Sequence, residues 1–286
     1  HELNIGVAFG FVDNRINVEF DWYRRNNFDL IGFTQTMGVG GVTTKLANDA
    51  TMQSTGCEFT ISTTNIKTKD FKWTTDWIFG WAENTITKLD SRSQVYELVN
   101  GFGRTEGRPI GALYSIPFAG LTEEGLPTFY IDAEHTQIAG PDNYDAIYFQ
   151  EYENVDYLKY EGSIDPTITG SFGNTFSWKG LKLNVFFTYS FGNVLRLDDL
   201  CPVYSSDYSD LTASMKEMKN RWMVPGDEQL TTIPSIPTVR QMREINALNN
   251  AYSAYNYSTE RVAKGDFIRL KELSLSYDLP KKYFEG

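Results

Sequence analysis

Eleven residues, FKWTTDWIFGW at positions 71–81, limit what this chain can fold into more than any other stretch. Phe71, Trp73, Trp77, Phe79 and Trp81 fill the odd positions, with Thr75 as the one small member of that row. Lys72, Thr74, Asp76 and Gly80 fill the even positions, with Ile78 as the exception. Successive side chains of a β-strand point to opposite faces, so this segment is a strand with one oily face and one wet face.

The alternation recurs along the chain. Leu3, Ile5, Val7, Phe9 and Phe11 alternate with Asn4, Gly6, Ala8 and Gly10, and Ile16, Val18, Phe20 and Trp22 with Asn17, Glu19 and Asp21. Cys57, Phe59 and Ile61 continue it, as do Leu181, Leu183, Val185, Phe187, Tyr189 and Phe191, and finally Leu273, Leu275, Tyr277 and Leu279. About nine strands are expected, at roughly 2–11, 15–33, 54–66, 71–87, 110–119, 128–132, 170–178, 181–196 and 266–279. Several reach the nine to eleven residues that cross a bilayer at a tilt. Connections alternate between tight links (12–15, 67–70, 122–127, 179–180) and long stretches (34–53, 89–109, 133–168, 197–265). An antiparallel up-and-down barrel in an outer membrane has this asymmetry, with short turns at one end and long loops at the other. A soluble β-sandwich is the competing fold.

Composition decides what else is excluded. No apolar run approaches eighteen residues, so no membrane-spanning helix is present in the sequence. A mean hydropathy of −0.37 does not exclude a barrel, whose strands are apolar on one face only. The formal charge of −11 argues against nucleic acid as a partner. Aromatics make up 15% of the chain, and Trp73, Trp77, Trp81, Trp22 with Tyr23, and Trp178 suit the girdles that flank a lipid-facing band. A Lys or Arg at mid-bilayer on that face costs roughly 2–4 kcal/mol. Simple alternation puts Arg269 and Lys271 on the outward row, near the loop end of the last strand. Glu19, Asp21, Glu58, Asp76, Glu272 and Asp278 fall on the row that would line a wet lumen. Bacterial barrels have an even number of strands, so an odd set that begins and ends with strands running the same way is expected to be part of a larger barrel.

The last long connection carries two expected helices, SDLTASMKEMKNRW, with Leu211, Met215, Met218 and Trp222 at helical spacing, and TVRQMREINALNNA. Catalytic chemistry is hard to find. His1 and His135 are the only histidines, which argues against a histidine metal centre or a Ser-His-Asp triad. GFGRTEG (101–107) and MGVGG (37–41) are glycine-rich loops without the spacing of a phosphate cradle. Asp198, Asp199, Asp207 and Asp210 have calcium-ligand chemistry but not the spacing of a twelve-residue calcium loop, so no cofactor is expected. Tyr204, Asp207, Tyr208, Asp210, Tyr252 and Tyr255 are the candidate loop contacts to a sugar or a partner, packing of the loop on itself being the alternative. Nothing in the spacing of Cys57 and Cys201 says whether they pair.

Several stretches together resemble one family. RPIGALYSIPFAGLTEEGLPTF (108–129), GSIDPTITGSFGNTFSWKGLKLNVFFTYSFGN (162–193), NRWMVPGDE (220–228) and RVAKGDFIRLKELSLSYDLPKK (261–282) resemble the C-terminal barrel region of SusC/RagA-type TonB-dependent transporters of Bacteroidetes. INVEFDWYRRNNFDLI (16–31) and STGCEFTISTTNIKTKDFKW (54–73) look like the preceding hairpins. The resemblance implies a plugged barrel of about 22 strands, multi-pass in the cell outer membrane. The whole chain, 1–286, would then be a C-terminal portion of the barrel, without plug or closing strands. It further implies a SusD-like surface lipoprotein lid, coupling to the TonB complex through the plug, and a dimer of transporter–lipoprotein pairs. The cargo would be oligosaccharides or peptides, and no enzymatic activity is expected. Two other classes stay open at this point: a soluble or surface-anchored all-β glycan-binding module, and an outer-membrane barrel enzyme.

Overall fold

The computed structural model describes residues 1–35, 38, 41, 44–200 and 216–279. The alternating segments form strands β1 (Glu2–Phe11), β2 (Ile16–Gln35), β3 (Thr44–Lys67) and β4 (Phe71–Leu89) in succession. A long excursion follows, holding α1 (Val95–Val99), β5 (Ala112–Ser115), β6 (Phe118–Leu121), β7 (Pro127–Tyr130), β8 (Ile138–Ala139) and β9 (Lys159–Ser163). The chain then returns to form the hairpin β10 (Ile168–Trp178) and β11 (Leu181–Phe191). A second excursion contains β12 (Val194–Arg196), α2 (Val239–Glu244), α3 (Leu248–Asn256) and β13 (Val262–Lys264), and ends in β14 (Phe267–Tyr277).

Seven of these strands make one antiparallel sheet in the order β1-β2-β3-β4-β10-β11-β14. Each strand pairs with its neighbour in sequence except where an excursion intervenes, so the wall is an up-and-down meander. Its register sorts the side chains. One row crosses all seven strands as Phe9, Val18, Ile61, Trp77, Phe172, Phe187 and Leu270. The adjacent row on the other face reads Gly10, Asn17, Ser62, Asp76, Gly173, Phe186 and Glu272. Because the side-chain period is two, one residue of slip anywhere would mix the faces.

A slip of this kind is built in and corrects one expectation. Between Phe186 and Phe187 the ladder jumps from Glu272 to Leu270, leaving Lys271 as the extra residue of a β-bulge. The bulge brings Ile268 and Leu270 onto the apolar face with Leu273 and Leu275. Arg269 is thereby moved to the polar face, opposite Thr188.

The strand count also differs from the sequence reading. The segments expected at 110–119 and 128–132 are not in the wall; they form small sheets in the excursions, β5 with β9 and β6-β7-β8. The TEEGLP link is therefore not a turn at the short end of the wall. Its Gly125, at φ 75°, lies against the Trp222 ring, where a Cβ would collide, and its carbonyl accepts from Ser235 N at 2.8 Å. That contact joins the two excursions.

Together the excursions form a cap with its own dry core, including Val95, Leu98, Phe129, Tyr144, Leu248 and Tyr255. The cap attaches to the loop end of the polar face. Ile86, fully buried, exchanges backbone hydrogen bonds with Arg108 and Gly107, and the Asn84 side chain accepts from Ile110 N at 2.7 Å. The expected helix over TVRQMREINALNNA is two helices. α2 starts on a capping box between Thr238 and Gln241, and Ala247, in the left-handed region at φ 54°, separates it from α3. Of the other expected helix, Lys216–Asn220 is a short 3₁₀ turn that buries Met218, and the part before residue 216 lies outside the described residues.

Candidate functional site

The apolar face is the first functional surface. Phe71, Trp73, Trp77, Phe79 and Trp81 share it, and among the described residues no second sheet covers them. They are partly exposed and pack on same-face neighbours, Trp73 on Phe176 at 5.6 Å and Trp77 on Phe59 at 5.9 Å between centroids. Several polar atoms around the aromatic row are satisfied within this face. Trp73 Nε1 donates to Asn174 Oδ1 at 2.8 Å, and the Thr75 hydroxyl donates to the same oxygen at 2.7 Å. Trp77 Nε1 donates to the Tyr189 hydroxyl at 3.0 Å, which donates in turn to the Ile78 carbonyl at 2.8 Å. The Tyr189 ring reaches this position by lying over Gly170, where a Cβ would meet the ring. Such closure suits a surface from which water is absent, where an unpaired donor costs several kcal/mol. It also accounts for Thr75, the one small residue in the aromatic row.

The polar face is wired differently. Thr175 donates to Asn184 Oδ1 at 3.1 Å, Asn184 donates to Glu272 Oε1 at 3.0 Å, and Ser274 donates to the same carboxylate oxygen at 2.9 Å. Ser62 donates to Asp76 at 2.7 Å. Where this face meets the cap there is a cleft of about 540 Å³. Tyr23, Arg25 and Asn84 line it from the wall, and Tyr160 and Asp165 from the cap. The Arg108 guanidinium lies 4.2 Å from the Tyr160 ring centre. Desolvation raises the Tyr160 hydroxyl above its ordinary pKa. The cleft thus offers aromatic faces, amides and carboxylates to a polar solute.

Two guanidiniums, Arg261 buried and Arg196 half-buried, hold the cap together. Arg196 donates to the carbonyls of Ser258, Val99 and Tyr114 at 2.9, 3.0 and 2.6 Å, and to the Ser115 hydroxyl at 3.1 Å. Burial lowers its pKa to about 10, which leaves it charged at neutral pH. Arg261 donates to Glu217 and to the Asp198 carbonyl, both at 2.6 Å.

Of the expected loop contacts, Tyr252 and Tyr255 lie in the cap core at 5% and 1% exposure. The Tyr252 hydroxyl donates to the Ser235 carbonyl at 2.6 Å, and Tyr255 packs on Phe118. They hold the loop to itself rather than facing cargo, which corrects the expectation for these two. Tyr204, Asp207, Tyr208, Asp210 and Cys201 lie outside the described residues. Cys57 sits on the apolar face, opposite Trp22 and Trp81. Among the described residues no three His, Cys, Asp or Glu side chains gather as a metal site would require, and no helix is long and apolar enough to cross a membrane. The sequence reading had not singled out Tyr160 or Asp165; neither belongs to a periodic segment, and only the folded cap brings them beside Tyr23.

No protein-family model matches the chain. A TonB-dependent receptor of Formosa agariphila is 26% identical over 99% of this chain and 27% of its own length. The TonB-dependent receptor SusC of Bacteroides thetaiotaomicron is 34% identical over 87 residues, covering 30% of this chain and 9% of SusC. Solved structures of the RagAB peptide importer in 'closed-closed' and 'open-open' states match 100% of this chain and 29% and 28% of theirs. Their TM-scores are 0.69 and 0.70, at 25% and 24% identity. The chain therefore spans between a quarter and a third of the relatives that it matches along its whole length.

Proposed function

The chain is a portion of a SusC/RagA-type TonB-dependent transporter, and we propose that it forms part of the barrel wall and the capped mouth through which the whole protein imports nutrients across the outer membrane. The observation that carries this reading is the uninterrupted apolar row across seven strands, backed by a polar face that, among the described residues, only the cap roofs. In this account the apolar face meets lipid and the polar face lines the lumen. The excursions stand at the extracellular end, and cargo passes the cleft beside Tyr160. TonB supplies the energy through the plug, and a SusD-like lipoprotein covers the mouth. The cargo class is oligosaccharides or peptides; the RagAB neighbours are peptide importers, and the aromatic and amide lining of the cleft suits either polymer. No step in this role breaks a covalent bond in the cargo.

The test is growth of a strain lacking the whole gene on a panel of glycans and peptides as sole nutrient. Loss of growth on one class, restored by the intact gene, is expected. Unchanged growth on every nutrient of the panel would contradict import.

A further inference from the structure

Apart from the cleft beside Tyr160, a cavity of about 410 Å³ lies between the loop ends of β2 and β3 and the segment that carries α1. Small-molecule sites span roughly 300–1,000 Å³. Asp49, Arg92, Gln94, Glu97 and Arg104 supply its polar groups, and Phe102 gives it an aromatic edge. The lining is held in place. Asp49 Oδ2 accepts from the Ser91 hydroxyl at 2.9 Å and from Arg104 Nη1 at 3.2 Å. Arg104 N donates to the Ser93 hydroxyl oxygen at 2.7 Å, and Gln94 N donates to Glu97 Oε2 at 2.9 Å. Gly32 lies against the Asp49–Arg104 pair, where a Cβ would come within 2.7 Å of Asp49 Oδ2 and 2.9 Å of Arg104 Nη1.

Two observations point to an occupant. Asp49 is only 2% exposed, yet its Oδ1 has no hydrogen-bond partner, whereas buried polar atoms are as a rule paired. Arg92 is exposed and, among the described residues, in no ion pair. We propose that this cavity binds one sugar ring of a neutral oligosaccharide. The inference rests on the import reading and narrows its cargo to glycan. Two arginines against two acids leave the lining without formal charge. Its carboxylates only accept hydrogen bonds and its guanidiniums only donate them, a combination that suits neighbouring hydroxyls, each of which does both. A peptide end would instead bring a charge that this lining does not balance. Phe102, 59% exposed and met edge-on by the Tyr96 ring at 5.9 Å, supplies an apolar surface for the C–H face of the sugar.

The test is isothermal titration calorimetry on the intact transporter in mild detergent. The probes are cellohexaose, maltohexaose, mannohexaose and xylohexaose, with the hexapeptides (Gly-Ser)3 and (Ala-Lys)3 beside them. At least one hexaose is expected to bind. Arg92→Gln and Phe102→Ala, both at exposed positions, should each weaken that binding about tenfold. Leu230→Ala, exposed in the second excursion and outside the lining, should leave it unchanged. Equal binding by wild type, Arg92→Gln and Phe102→Ala would place the sugar elsewhere and overturn the site. Failure of all four hexaoses to bind overturns it as well, and so does a hexapeptide whose binding both variants weaken. Any of these results, with gene deletion still abolishing growth on a nutrient, refutes this inference alone. Unchanged growth of the deletion strain would instead remove the import reading, with calorimetry still deciding the cavity.

Discussion

At the scale of single residues, the account turns on which way a side chain points. Phe187 lies between Phe172 and Leu270 on the apolar face, whereas Asn184, three residues earlier, is bonded to Glu272 on the polar one. Phe187→Arg is expected to cost roughly 2–4 kcal/mol near the bilayer midplane and to reduce the heat-modifiable, folded receptor in outer-membrane fractions. Asn184→Arg should leave that fraction near wild type. A pH effect belongs at the same scale. Glu228 is held below the ordinary carboxylate pKa by its own backbone N–H first and then by the Trp222 indole, with Gly226 N adding a third donor. Because the folded value is lowered, this carboxylate stabilises the cap above the usual carboxylate range. The contribution is lost as pH falls through the lowered value. Trp222 emission, read as the difference from a Trp222→Phe variant, should shift in acid in wild type and stay flat in Glu228→Gln. The aromatic row from Phe71 to Trp81 was legible in the sequence because period two fixes its face. The tyrosines Tyr252 and Tyr255 were not, since a tyrosine-rich loop has the same composition whether it packs on itself or reaches for cargo.

Among elements, long strands were legible and their interruptions were not. β11 has eleven residues that alternate with Phe186 as the one apolar member of the polar row, and no turn signal within it. β14 has the same length, yet the bulge at Lys271 reverses the facing of everything before it. One residue decides, and simple alternation cannot see it. Deleting Lys271 should join Leu270 directly to Glu272 in a plain ladder, keeping Arg269 in the polar row and Leu273 and Leu275 in the apolar one. Folded receptor should stay near the wild-type level, and a fall as deep as that of Phe187→Arg would contradict the assigned register. In the cap, Arg196 ties α1, β5 and the 258 turn to β12 through three backbone carbonyls. Arg196→Met removes a donor from each of those carbonyls, of which Ser258 keeps the Arg261 N–H, and should lower cap stability by about 3 kcal/mol, measured as earlier proteolysis within residues 90–167 while the wall stays intact.

For the molecule as a whole, the sequence conveyed the wall but not the cap. A wall strand advertises itself by repetition, whereas the cap is assembled from short strands, turns and helices with no common period. The two segments with strand-like composition inside it, 110–119 and 128–132, were therefore counted with the wall. In the proposed transport role the labour divides: regular strands would separate lipid from lumen, and irregular excursions would meet whatever enters.

The most direct test is a cysteine scan of residues 182–189 on β11, in the intact transporter with Cys57 and Cys201 replaced, nitroxide-labelled and reconstituted in bilayers. Labels at 183, 185, 187 and 189 should be relaxed by oxygen dissolved in lipid, and those at 182, 184, 186 and 188 by a water-soluble nickel chelate. Absence of that two-residue oscillation, or the opposite phase, would contradict the assignment of oil to one face and water to the other.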